Sequence, residues 1–189
     1  KLANPYEEDL TEAMVQELLG RFGDHVFEVG PRSLEKVLAD LLRAREKTVA
    51  FAESCTAGMA SSILASVSGA SRILQGGFVS YQNAMKERML GVPGKILDED
   101  GPVSSRCAQA MAEGCLERTG ADYALSFTGI AGPGGGTDET PVGTVWIGLA
   151  CRGGETLSRL YHFGGGRELV RLRAVYSGYD LLRRHLTGL

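Results

Sequence analysis

From Thr48 onward the sequence alternates short apolar runs with amphipathic stretches, and this alternation leaves few folds open. TVAFAE (48–53) is apolar with a β-branched start and is expected as a buried strand. It breaks at SCTAG, and MASSILASV continues as a helix. GGFVSY (76–81) reads as the next strand, followed by a helix from about Asn83 to Leu90. A loop carrying Gly91, Pro93, Gly94, Gly101 and Pro102 comes next, and Ser104 then caps a long helix through Arg118. ADYALSFTG (121–129) is another strand. VGTVWIGLAC (142–151) and ETLSRLYHF (155–163), separated by Arg152, Gly153 and Gly154, carry a hairpin signal. A helix from about Arg167 to His185 ends the chain. Strands alternating with helices, then an antiparallel pair, predict an α/β fold: a three-layer α/β/α sandwich with a mixed parallel/antiparallel sheet.

The first part of the chain is patterned differently. Residues 8–20 read as a helix with Leu10, Met14, Val15 and Leu18 on one side and Gly20 as its stop. HVFEV (25–29) reads as a short strand. Ser33 is placed to cap a helix whose stripe is Leu34, Val37, Leu38, Leu41 and Leu42. We therefore expect residues 1–32 to be an appendage and 33–189 to be the domain. The N-terminus, KLANPYEEDL, is polar, acidic and without a start Met, as expected of a piece of a longer protein and not of a signal peptide.

With 189 residues, 43% of them hydrophobic and 23% charged, the chain can bury a core without disulfide or metal staples. No apolar run approaches the ~20 residues of a membrane-spanning helix. A net charge of −3 argues against direct nucleic-acid binding. Cys55, Cys107, Cys115 and Cys151 form no CxxC, and His25, His162 and His185 are scattered, so a metal site is poorly supported. Four reduced cysteines suit a cytoplasmic protein. Glycine is the unusual count: 26 in all, about twice the ~7% average, with twelve between Gly129 and Gly166.

Four stretches could carry chemistry. Glu53-Ser54-Cys55-Thr56-Ala57-Gly58 lies where a buried strand turns into a helix. It offers three nucleophilic side chains in succession, with helix N–H groups nearby for an oxyanion. It also reads as a plain helix cap, and it is not a GxSxG elbow. Tyr81-Gln82-Asn83-Ala84-Met85-Lys86 keeps a lysine in a region that otherwise prefers arginine: after Lys47 there are two lysines against eleven arginines. Lysine can become a base where arginine cannot, although Lys86 beside Glu87 and Arg88 also suits a solvated face. Thr128-Gly129-Ile130-Ala131-Gly132-Pro133-Gly134-Gly135-Gly136-Thr137 follows a strand, as phosphate-cradling loops do, but matches neither GxxxxGKS nor GxGxxG. Finally, Phe163-Gly164-Gly165-Gly166-Arg167 opens a helix bearing Arg171 and Arg173, and residues 152–189 hold seven arginines against three acids. That is a candidate anion site or a basic surface helix. His162 lies inside a predicted strand and no other histidine is near a motif, so if Ser54 is a nucleophile a lysine is the expected activating base.

Taken in order, AESCTAG, SGASRILQGGFVSYQNAMKERMLGV, GPVSSRCAQAMAEG, FTGIAGPGGGTDETPVGTVWIG and the Gly-rich turn with Arg resemble the CinA C-terminal domain family over roughly Leu34 to Leu186. That family includes stand-alone bacterial nicotinamide-nucleotide amidases. The resemblance implies hydrolysis of nicotinamide mononucleotide to nicotinic acid mononucleotide and ammonia in pyridine-nucleotide salvage, without metal or cofactor. It implies Ser54 as nucleophile, Lys86 as base and Tyr81 as a third catalytic residue. Cys55, Thr56, Thr128, Gly129, Gly132, Gly135 and Arg167 are implied around the substrate. Backbone N–H groups at the start of the 57–66 helix are expected to hold the oxyanion. The implied partners are the pyridine mononucleotide, further copies of the chain in a homo-oligomer, and an N-terminal CinA domain in two-domain relatives.

Three residues depart from the family pattern: Ala57 stands where a glycine is usual, Thr140 where a lysine is usual, and GGGR where GDR is usual. The Ala57 change is expected to be mild unless that position needs a positive φ. These departures favour the rival reading, a non-catalytic nucleotide- or phosphate-binding or oligomerisation module. A DNA-transaction role, suggested by the family's association with competence, is disfavoured by the acidic charge and the lack of a basic aromatic patch.

Overall fold

The computed structural model describes residues 11–189. Its helices are α1 (Thr11–Phe22), α2 (Leu34–Ala44), α3 (Met59–Ala65), α4 (Asn83–Leu90), α5 (Gly94–Glu99), α6 (Ser105–Thr119) and α7 (Arg167–Thr187). Its strands are β1 (Val49–Glu53), β2 (Leu74–Val79), β3 (Tyr123–Gly129), β4 (Thr144–Cys151) and β5 (Leu157–His162). They form one sheet in the order β2-β1-β3-β4-β5. β2, β1 and β3 run parallel; β4 is antiparallel to both β3 and β5. The mixed sheet between two helical layers is the architecture read from the sequence.

The layers follow from the period of two along each strand. Phe51, Leu125, Phe127, Ile147 and Leu149 point to one face and pack with Leu38 and Leu42 of α2, Leu64 of α3 and Tyr179 and Leu182 of α7. Ala50, Ala52 and Ala124 point to the other, against Cys107, Met111 and Cys115 of α6, Leu90 of α4 and Leu97 of α5. On this second face a Cβ at Gly148 would lie 2.5 Å from the Ala108 carbonyl of α6. A Cβ at Gly114 would collide with the Leu90 carbonyl. Ser126 donates to Ala108 O at 2.6 Å and accepts from Gly148 N–H at 3.2 Å, so sheet and helix are also hydrogen-bonded. Ser104 caps α6 as expected, accepting from Cys107 N–H.

Several expected elements differ. The predicted start of the first helix at residues 8–10 lies outside the described residues. Gly20 does not stop that helix, which continues to Phe22 with no buried residue, so Met14, Leu18 and Phe22 remain exposed. HVFEV is not a strand. A short 3₁₀ turn occupies Gly23–His25, and Arg183 and Arg184 of α7 both donate to Asp24 O. That segment is held to α7 and finds no strand to pair with among the described residues. Ser33 flanks α2, but its hydroxyl donates to Glu35 and not to a cap position. β2 spans 74–79 and not 76–81, and the Gly/Pro loop after α4 contains the additional helix α5.

Candidate functional site

β1 delivers Glu53 to the junction with α3, and Glu53 decides the local structure. Its buried carboxylate accepts from Ala60 N–H (3.0 Å), Ser61 N–H (2.9 Å) and the Ser61 hydroxyl (2.8 Å). The first turn of α3 is thus capped by an acid from the preceding strand, which also suits the helix dipole. The five residues between reverse direction tightly. Ala57 N–H donates to Ser54 O and Met59 N–H to Thr56 O, with Ala57 at φ 50° and Gly58 at φ 90°. Position 57 therefore does need a positive φ, which is the condition under which alanine there is not a mild change. The left-handed region costs a non-glycine residue about 1–2 kcal/mol.

Ser54 sits at the end of this strand, its N–H donating to Phe127 O of the neighbouring strand at 2.9 Å. From the opposite layer, Lys86 on α4 extends to it: Lys86 Nζ is 3.1 Å from Ser54 Oγ and donates to Ser80 O at 3.4 Å. Lys86 is only 2% exposed and, among the described residues, has no carboxylate partner. Burial lowers its pKa from the ordinary lysine value, against the smaller opposing influence of the Cys107 and Cys55 thiols. A lysine with two neutral oxygens for company is one that can be a neutral amine.

The neighbouring nucleophiles are placed differently. Burial pushes the Cys55 thiol up to about 12, so it stays protonated near neutral pH. Thr56 is fully buried, and its hydroxyl has no hydrogen-bond partner among the described residues. A cavity of about 190 Å³ opens in front of Ser54, lined also by Cys55, Tyr81, Lys86, Thr128 and Arg167. At its mouth the exposed Arg167 donates to Tyr81 Oη (2.9 Å) and Gly132 O (2.8 Å). One turn along the same face of α7, Arg171 donates to Thr56 O at 2.8 Å and secures the nucleophile turn from behind. Among the described residues no three His, Cys, Asp or Glu side chains are placed to share a metal ion.

The sequence model of the CinA C-terminal domain matches residues 31–186. The chain belongs to the CinA C-terminal domain family. A CinA-like protein of Dictyoglomus thermophilum is 44% identical over 182 residues, 96% of this chain and 44% of that protein. A CinA-like protein of Thermotoga maritima is 43% identical over 177 residues, 94% of this chain and 43% of that protein. The chain thus spans less than half the length of these curated relatives. Among solved structures, a competence/damage-inducible protein from Agrobacterium tumefaciens is 36% identical, with a TM-score of 0.78 over 85% of this chain and 99% of that one. A competence damage-inducible protein from Klebsiella pneumoniae is 34% identical, with a TM-score of 0.79 over 82% and 95%.

In this CinA domain, Ser54, Cys55, Tyr81, Lys86, Thr128, Gly129 and Arg167 all meet at one cavity, whereas Thr56, Gly132 and Gly135 do not line it. Thr56 turns into the core. Gly132 touches the site only through its carbonyl under Arg167. The Thr128 hydroxyl is already committed, donating to Pro102 O at 2.5 Å. Thr140 closes a small turn with Thr137, its N–H donating to Thr137 Oγ1 at 3.0 Å, away from the cavity.

Of the amides expected to hold the oxyanion, those of Ala57, Met59, Ala60 and Ser61 are engaged, two of them by Glu53, which leaves Gly58 at the start of that stretch. The N–H groups of Cys55 and Thr56 have no acceptor in another residue among those described. Sequence reasoning quoted Glu53 without assigning it a role. An acid immediately before a strand-to-helix turn was the available signal. Asn83, one turn before Lys86 on α4, also lines the cavity and was passed over.

Proposed function

We propose that this CinA domain is an amidohydrolase that converts nicotinamide mononucleotide to nicotinic acid mononucleotide and ammonia. The observation that carries the reading is the 3.1 Å approach of a buried, carboxylate-free Lys86 to Ser54 at the end of a cavity. Neutral Lys86 takes the Ser54 proton as Oγ attacks the carboxamide carbon. The developing oxyanion lies against the Cys55 and Thr56 amides, beside the nucleophile. The Lys86 ammonium then protonates the leaving nitrogen, which departs as ammonia and leaves an acyl ester on Ser54. Water, deprotonated by Lys86, hydrolyses that ester and restores the serine. The cavity of about 190 Å³ suits the carboxamide-bearing ring. The ribose and phosphate extend past Tyr81 toward Arg167, whose guanidinium is exposed at the mouth.

The test is ammonia release from nicotinamide mononucleotide by the purified chain, with Ser54→Ala as control. Turnover that Ser54→Ala abolishes supports the reading. Near-normal turnover in Ser54→Ala moves the nucleophile elsewhere. The second reading, a nucleotide-binding module without turnover, is favoured by Ala57 at positive φ and by an Arg167 already engaged with Tyr81 and Gly132. Ligand binding without ammonia release selects it.

A further inference from the structure

A cavity larger than the one in front of Ser54 also has ligand-like walls. It lies between β5 and the middle of α7, has a volume of about 560 Å³, and falls in the ~300–1,000 Å³ range of small-molecule sites. One wall is aromatic. Tyr161 and Phe163 stack with centroids 5.4 Å apart and planes 9° from parallel, so the two half-buried rings share one orientation. The other feature is charge. Arg159, Arg173 and Arg184 line the cavity against one acid, Asp180. Asp180 is already held by both Arg183 and Arg184 at 2.7 Å. Arg159 and Arg173 meet no carboxylate among the described residues: Arg159 lies beside Tyr161, two residues along the same strand, and Arg173 donates to Gly164 O at 2.7 Å. Two uncompensated guanidinium groups therefore flank an aromatic wall in a concavity that none of the residues around Ser54 line.

We propose that this cavity is a second binding site, for a planar aromatic ring carrying a phosphate, as in a nucleoside monophosphate. Arg159 and Arg173 take the phosphate with charge-assisted hydrogen bonds, and the ring lies against Tyr161 and Phe163. A concave site of this volume with a single neutralised acid suits a compact anion better than an extended peptide. The inference does not depend on the amidase reading.

Calorimetric titration with adenosine 5′-monophosphate tests it, with adenosine and inorganic phosphate as separate arms. Saturable binding of one nucleotide per chain is expected, weakened at least about tenfold by Arg159→Ala or Arg173→Ala and unchanged by Arg167→Ala. Adenosine and phosphate alone should each bind at least about tenfold more weakly. Both arginines are exposed, and unchanged melting temperatures check that the variants fold. Absence of binding at millimolar nucleotide overturns the proposal. So does binding lost in Arg167→Ala but kept in Arg159→Ala, which returns the ligand to the Ser54 cavity. Adenosine binding as tightly as the nucleotide overturns the role of the arginines. Self-association that Arg159→Ala abolishes, with no nucleotide bound, overturns it in favour of a contact between copies of the chain.

Discussion

The two faces of the sheet are built on opposite plans. One buries Phe51, Leu125, Phe127, Ile147 and Leu149 under α2, α3 and α7; the other presents alanines, Ser126 and Gly148 to α6. On the first face stability comes from apolar area, about 1.5–3 kcal/mol for each large side chain buried. On the second it comes from close approach: the Ala108 carbonyl sits where a Gly148 side chain would begin, and one serine hydroxyl satisfies helix and strand together. Each face contributes half of the candidate site. The large-residue side supplies Glu53's cap, α3 and Arg171; the small-residue side supplies α4 and Lys86. Ser54 lies at the carboxyl end of β1, where both layers reach it.

The sharpest way to break this division is to remove the amine that reaches across it from α4. Lys86→Met should lower amide hydrolysis by about 10²–10⁴, and Lys86→Arg nearly as much, because arginine does not deprotonate. Full activity in the arginine variant would end the base assignment. In wild type, kcat should rise with pH through an inflection below the ordinary lysine value of about 10.4, and the variants should lose that limb. Removing Lys86 should move stability the opposite way from activity. The folded pKa of Lys86 lies below its unfolded value, so between the two the unfolded chain binds more protons. Stability thus rises with pH across that window, and the burial penalty is greatest below it. Lys86→Met should raise Tm, most at low pH; a lower Tm at every pH would show that the ammonium is better satisfied than its contacts indicate.

Gly148→Val tests the thin face. Displacing α6 should cost about 3 kcal/mol or more in chemical denaturation, whereas valine on the opposite face at Ile147 should cost about 0.5–1.5 kcal/mol. Equal penalties would mean that the faces do not differ in packing tolerance. Ser126→Ala removes two buried hydrogen bonds, one to the Ala108 carbonyl and one from the Gly148 N–H, and should cost about 1–3 kcal/mol. The smallest effect is at Ala57. Ala57→Gly should stabilise by about 1 kcal/mol by relieving the left-handed backbone, with little change in turnover. A loss of stability would place the compensation elsewhere in the turn.

Much of this was legible in the sequence because it rests on local pattern. The apolar run at 49–53, the Asn83–Leu90 helix and the Arg152-Gly153-Gly154 turn each announce themselves within a few residues. Ser54, Lys86, Tyr81 and Arg167 were all singled out, and they do converge at one cavity. What was not legible depends on partners distant in the chain. HVFEV alternates like a strand, yet Arg183 and Arg184, some 160 residues later, take its preceding carbonyl. α5 is six residues between prolines and glycines, too short to carry a periodic signal. Thr56 looked equal to Ser54 in sequence, but the turn's reversal sends its hydroxyl inward. The amides of residues 60 and 61 are withdrawn from an oxyanion role because Glu53 reaches forward to them, a contact that no local rule announces.

All four cysteines are free and buried, and they are spread across the architecture. Cys107 and Cys115 lie on the buried face of α6, Cys151 ends β4 in the large-residue core, and Cys55 lies in the nucleophile turn. Burial raises every one of these thiols, to about 11 for Cys107 and about 12 for Cys115. At Cys107 and Cys115, which are fully buried, an alkylating reagent therefore reacts only when the surrounding structure opens. These two sulfurs are internal clocks whose labelling rates report how often the α6 layer comes apart, while Cys55, at the cavity wall, reports how freely the site admits a reagent.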